Sequence, residues 1–213
     1  KVQYAVGRTA GEEKKERSCR IGFYRAGTNE VVDAKACLLQ ILPAEAVARV
    51  IRRYVKKTRI PIYDPVSGTG VLRQVTVRSG FRTGELMVMI MAAARHLPEV
   101  EWLVDEIVLE LDRLNRGDED NDFYLESLVL NVNSSKAALF GKQNITLAGK
   151  PTITDELFDL EMEISPLSFY QVNPVQTEKL YRKVEEYAGL TGKETVLDVY
   201  CGVGAIGIFL AGK

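Results

Sequence analysis

"LDVYCGVGAIGIFLAGK", Leu197 to Lys213, decides how this chain is read. An apolar run ending in an acid, Val196-Leu197-Asp198, leads into Gly202 and Gly204, and a second apolar run follows at once. Glycines at the carboxyl end of a buried strand let the backbone turn sharply and let a ligand approach without meeting a Cβ atom. The helix start beyond them offers free backbone N–H groups. Two readings stay open here: the mouth of a nucleotide-type cofactor pocket, or a tight strand-to-helix turn with no ligand. No Gly-Lys-Ser/Thr follows to grip phosphate. Asp198 instead suits hydroxyl or amine donors, such as those of S-adenosylmethionine.

Upstream, "PVQTEKLYRKVEEYAGLTGKE" predicts a helix of about four to five turns. Pro174 takes its first position, Leu180, Val184 and Tyr187 face inward, and Gly189 or Gly192 ends it. "TVLDVY", Thr195 to Tyr200, then reads as a strand. Helix, strand, glycine loop and helix open a doubly wound parallel sheet. The chain supplies only the first unit of such a sheet.

A different pattern precedes Asn173-Pro174. Cys19 to Tyr24, a Gly27-Thr28-Asn29 turn and Glu30 to Asp33 form a hairpin signal. From Pro43 onward Val47, Val50, Ile51, Tyr54 and Val55 mark one face of a helix. "GVLRQVTVRSG" alternates, with Leu72, Gln74, Thr76 and Arg78 on one face and Val71, Arg73, Val75 and Val77 on the other. "FRTGELMVMIMAAA" gives its antiparallel partner strand, and "LPEVEWLVDEIVLEL" a second helix with Pro98 in its first turn. "LESLVLNVNSS", "AALFGKQNITLAGK" and "DLEMEISPLSFYQVN" add three strands, the last broken by Pro166. The expected fold class is therefore an α+β domain with an antiparallel sheet over residues 1–165. Residues 166–213 begin an α/β, Rossmann-like domain that is incomplete.

Composition excludes more than it selects. At 213 residues, 46% hydrophobic and 27% charged, the chain suits a soluble globular protein, and a cytoplasmic location is expected. No apolar stretch approaches the ~20 residues needed to span a bilayer, so no membrane role is expected. A net charge of -1 favours no particular partner. Arg49, Arg52, Arg53, Lys56, Lys57 and Arg59 gather on one helical pattern, either a solvated face or a phosphate-facing surface. "GDEDND", Gly117 to Asp122, reads as an exposed acidic loop. Three scattered cysteines, Cys19, Cys37 and Cys201, make no disulfide framework, and the single His96 supplies neither a zinc site nor a triad.

"SPLSFYQVNPVQTEKLY" followed by "VLDVYCGVGAIGIFLA" resembles the uracil-C5 RNA methyltransferase family, whose members methylate ribosomal or transfer RNA. "GFYRAGTNEVVDAKACLLQ" and "LRQVTVRSGFRTGELMVMI" match the same family's central domain. The resemblance covers nearly the whole chain. It implies an RNA-binding barrel, a central domain with a 4Fe-4S iron–sulfur cluster, and a methyltransferase domain using S-adenosyl-L-methionine. The chain then corresponds to the central domain plus the start of the third.

The resemblance also assigns roles. Gln171 matches the glutamine lining the cofactor and base pocket; on its own it reads equally as a polar residue at a helix entry. Phe169 matches the aromatic that stacks on an extruded uracil, and otherwise reads as core. Asp198, Tyr200, Gly202 and Gly204 match the cofactor loop, while Ala205 departs from the polar residue many members carry there. Cys201 is a small residue of that loop, not the nucleophile. Cys37 aligns with the fourth cluster ligand, and the other three would precede Lys1. Cys19 receives no role.

The implied chemistry is addition of a cysteine thiolate to uracil C6, methyl transfer to C5, and removal of the C5 proton by a carboxylate. Nucleophile and base both fall outside this chain, so no catalytic residue is expected within it and it should not turn over alone. A 23S rRNA substrate is the first expectation, favoured by Cys37. A tRNA uracil-54 substrate and a non-catalytic RNA-binding or assembly module are the alternatives. An unpaired apolar strand near the end should also invite association between copies.

Overall fold

The computed structural model describes residues 1–8, 19–118, 122–136 and 139–212. Residues 119–121 of the expected acidic loop lie outside them. In chain order the elements are β1 (Val2–Arg8), β2 (Cys19–Tyr24), β3 (Val31–Asp33), α1 (Leu42–Thr58), β4 (Leu72–Ser79), β5 (Glu85–Ala92) and α2 (Val100–Arg116). Then follow β6 (Tyr124–Val132), β7 (Gln143–Gly149), β8 (Ile153–Leu157), β9 (Leu160–Ile164), α3 (Pro174–Ala188) and α4 (Ala205–Ala211).

Seven strands form one sheet in the order β3-β2-β1-β4-β5-β6-β7, and β8-β9 form a separate hairpin. The sheet is mixed, which corrects the antiparallel expectation: β5 and β6 pair in parallel, from Glu85 beside Tyr124 to Ala92 beside Val132. Helix α2 makes the crossover that a parallel pair requires. The sequence pattern could not distinguish this pairing, because all eight residues of β5 are buried and leave no polar alternation to read. The hairpin β2-β3 and the pair β4-β5 form as expected. Beyond the expected set, β1 lies between β2 and β4, and β8 pairs with β9.

Helices α1 and α2 cover the core. Val47, Val50, Ile51, Tyr54 and Val55 are all buried with Val75 and Val77 of β4. The Tyr54 ring stacks on Trp102 of α2, and its hydroxyl donates to Pro98 O at 2.6 Å. Pro98 thus stands just outside α2, whose cap is Glu99. One strand departs from simple alternation: a bulge between Leu72 and Gln74 shifts the phase of β4. Leu72 therefore joins Val75 and Val77 in the core rather than the face of Gln74, Thr76 and Arg78.

The basic face of α1 is largely partnered. Arg49 and Arg53 pair with Glu110 of α2 at 2.8 and 3.1 Å, Arg53 also with Glu106 at 2.9 Å, and Arg52 with Asp33 at 2.7 Å. Burial works against the Glu110 charge, but the two arginines outweigh it and hold its carboxyl below the usual range. At Asp33, too, burial opposes ionisation while Arg52 prevails. Neither a solvated face nor a phosphate-facing surface describes Arg49, Arg52 and Arg53, whose charges are taken up by ion pairs between elements.

A second, smaller core joins the hairpin to the last helices: Leu157, Met162, Tyr181, Phe209 and Leu210 pack together, with Phe158 stacked 4.4 Å from Phe209. Helix α3 turns Thr177 and Tyr181 inward, with Val184 half-buried; Leu180 and Tyr187 are exposed, against expectation. Thr195 to Tyr200 forms no strand. Among the described residues no strand lies beside it, and an extended segment without ladder partners is not a strand. Its Leu197 and Val199 stay exposed, whereas α4 beyond it is packed.

Candidate functional site

Two separate depressions lie near the expected site residues, one lined by Gln171 and the other by Asp198. The first surrounds the loop between β9 and α3. Ser168 closes a small turn, its Oγ accepting from the Ser165 N–H at 3.1 Å and donating to Ser165 O at 3.0 Å. Tyr170 points inward, donating to Asp155 Oδ2 at 3.2 Å, and burial and then the Asp155 charge push its hydroxyl pKa up. Asn173 caps α3 by accepting from the Gln176 N–H at 3.1 Å. With Tyr170 fixed inward, Phe169 and Gln171 on either side of it are left exposed. Phe169 is 76% accessible, so it is not a core residue here.

Beneath that loop lies Arg78, which strand alternation groups with Leu72, Gln74 and Thr76. It is 4% exposed, and its Nη2 donates to Ser168 O at 2.7 Å. Arg78, Lys1, Asp155, Tyr170 and Gln171 line a recess of about 50 Å³. Nothing in strand alternation announces a buried arginine; only the position just before Ser79-Gly80, where β4 ends, hints at it.

The second depression, about 470 Å³, is lined by Gly192, Glu194, Val196, Asp198, Gly207 and Leu210. Gly202 and Gly204 adopt φ values of 59° and 76°, which explains why glycine is needed at both. A Cβ on Gly202 would meet nothing within 4 Å, so the loop is open for a ligand. Asp198 Oδ2 accepts from the Gly207 N–H at 3.1 Å, holding the loop bend and the start of α4 together. Tyr200 is fully exposed, also at positive φ (64°). Of the expected cofactor loop, Asp198 lines this depression, and its carboxylate suits a ligand with hydroxyl or amine donors, as in S-adenosylmethionine. Gln171 lines the other recess.

The cysteines stand apart. Cys201 is exposed. Cys37 is half-buried, with its N–H donating to Glu45 Oε1 at 3.0 Å. Burial raises the Cys19 thiol to about 11. Among the described residues no group of three or more His, Cys, Asp or Glu could hold a metal, so Cys37 has no ligand set around it for a cluster. Nor is any helix among them long and apolar enough to cross a membrane.

No family model matches the chain. It is 38% identical over 212 residues to an uncharacterized RNA methyltransferase of Clostridium acetobutylicum, covering 99% of this chain and 42% of that protein. An uncharacterized RNA methyltransferase of Caldanaerobacter subterraneus is 38% identical over 226 residues, covering 100% of this chain and 47% of the relative. The chain spans less than half the length of the curated relatives it matches. Among solved structures, the tRNA (uracil-54, C5)-methyltransferase of Pyrococcus abyssi in complex with S-adenosyl-L-homocysteine superposes with a TM-score of 0.73 at 26% identity. That match covers 99% of this chain and 44% of the other. Together these relatives and this structural neighbour support the uracil-C5 RNA methyltransferase family for the chain.

Proposed function

We propose that this chain is part of an S-adenosylmethionine-dependent enzyme that methylates uracil C5 in RNA. The observation that carries this reading is the loop after β9, which is tied down at Ser168, Tyr170 and Asn173 and leaves Phe169 bare. A fixed, exposed aromatic beside a polar amide suits an unstacked base, which is read by stacking and by hydrogen bonds to its edge. Gln171 supplies that amide. Asp198, Tyr200, Gly202 and Gly204 take the cofactor, which supplies the methyl group when bound. Residues 1–165 serve as the central domain and 166–213 as the start of the methyltransferase domain. Nucleophile and base come from further sequence, so this chain alone is inactive.

We take 23S rRNA as the substrate. The structural neighbour, described as acting on tRNA uracil-54, favours tRNA as the second reading. The test is transfer of labelled methyl from S-adenosylmethionine by the full-length protein to separately purified 23S rRNA and tRNA, with mapping of the product. Phe169→Ala should lower kcat/KM by about ten- to a hundredfold, in line with about 1–3 kcal/mol per stacked base. No C5-methyluracil in either RNA would end the proposal.

A further inference from the structure

The recess beneath the base-reading loop contains a cation with no acid to balance it. Arg78 is almost wholly buried, yet among the described residues no carboxylate lies within ion-pair distance of it. Its Nε makes no hydrogen bond, and one carbonyl, Ser168 O, is its recorded partner. A buried guanidinium without a counter-charge is costly, and other arginines of this chain avoid that cost. Arg49, Arg52, Arg53 and Arg82 each meet a carboxylate. Lys1 lines the same recess, and burial and then the Arg78 charge lower its side-chain pKa. The one carboxylate in the lining, Asp155, is engaged elsewhere: Oδ1 accepts from the Arg82 N–H at 2.9 Å and Oδ2 from Tyr170.

The surroundings say what kind of anion the recess suits. A volume of about 50 Å³ exceeds the ~10–15 Å³ one water needs and is too small for a nucleobase. Phe81, 61% exposed, also lines the recess, and Phe169 stands exposed on the loop that Arg78 anchors. Cations interleaved with exposed aromatics are how single-stranded nucleic acid is gripped, phosphate on charge and base on ring. We propose that Arg78, with Lys1, binds a backbone phosphate of the RNA next to the uracil presented to Phe169. The inference rests on the proposed RNA substrate and adds the phosphate site to it. Arg78 then does two things at once: Nη2 fixes the loop through Ser168 O, and the remaining guanidinium edge meets the phosphate.

The experiment uses the full-length protein and a short uridine-containing oligoribonucleotide in which one linkage at a time is made a neutral methylphosphonate. Binding is read by fluorescence anisotropy across a salt series. In the wild type one linkage adjacent to the uridine should stand out, weakening binding about tenfold when neutralised. Arg78→Gln should reduce the slope of log K against log salt by about one, and the same neutral linkage should then cost almost nothing. Equal cost of that linkage in both proteins would make Arg78 a loop anchor only and overturn the proposal. If Arg78→Gln does not fold, the wild-type linkage scan decides: a flat scan overturns the site. S-adenosylhomocysteine should bind both proteins equally; a loss confined to that ligand would assign the cation to the cofactor carboxylate instead. Methyl transfer measured in parallel separates the two readings, since a protein that methylates RNA but shows a flat scan loses only the phosphate site.

Discussion

At the scale of single residues, charge is spent on joining elements. Glu110 takes hydrogen bonds from Arg49 and Arg53 across the α1–α2 contact while its side chain is only 9% exposed. Its carboxyl is held below the ordinary Glu value of about 4.3, so the stabilisation is fully present above that pH. It is lost as pH falls through the lower, folded-state value. Glu110→Gln should cost about 1–3 kcal/mol near neutrality, and the gap to wild type should close in acid. Urea midpoints at pH 7 and pH 3 check this; a gap that persists at pH 3 would contradict it. Half of this is legible in sequence: the basic run from Arg49 to Arg59 is plain, but Glu106 and Glu110 lie far downstream and Asp33 upstream, where spacing says nothing about contact. Arg78 was harder still, because a charge in an alternating strand defaults to solvent.

Among elements, the helix of Val47 to Val55 was the most legible, its apolar period carrying straight into the core. Helix α3 was legible in extent and cap but not in facing, since Tyr181 rather than Leu180 and Tyr187 meets Phe209. A helix with several apolar residues round its girth does not announce its neighbour. Strand β1 is not legible in sequence, because its partners, β2 and β4, are set by tertiary pairing. Two glycines make the local rules measurable. Gly189 ends α3 at φ 56° with nothing within 4 Å of a would-be Cβ, so Gly189→Ala should cost about 1 kcal/mol, from backbone strain alone. Gly70, at φ 101°, would place its Cβ 2.3 Å from Ile62 O. Gly70→Ala should therefore cost clearly more, because the bridge of Ile62 to Leu72 must also open. Thermal unfolding of the two variants ranks them; equal losses would disprove the steric term.

For the molecule as a whole, burial is uneven. Strands β4, β5 and β6 share the large core, whereas Leu197 and Val199 stand in water. Backbone hydrogen exchange should follow the same division: slowest at Val88 to Ile90 and Leu128 to Leu130, fast at Val196 to Tyr200. Helix α4 should fall between, held by Phe209 against Phe158. Protection at Val196 to Tyr200 equal to that of β5 would mean that this segment finds pairing partners. The glycine motif was visible in sequence because φ requirements are local; the pocket around it was not, because a pocket is a property of neighbours.

The parallel pair β5-β6 also sets a clock. Strands β4 and β5 are joined by residues 80–84, but β5 and β6 by residues 93–123, with α2 between. Closing the longer connection costs about 1.6 kcal/mol more chain entropy. The β4-β5 meander should therefore assemble early in folding, with β6 zipping on once α2 has docked on α1. Trimming Val77 to Ala would then slow refolding, while Leu130→Ala would mainly hasten unfolding. The strand buried most completely is thus where an early, local event hands over to a late, distant one.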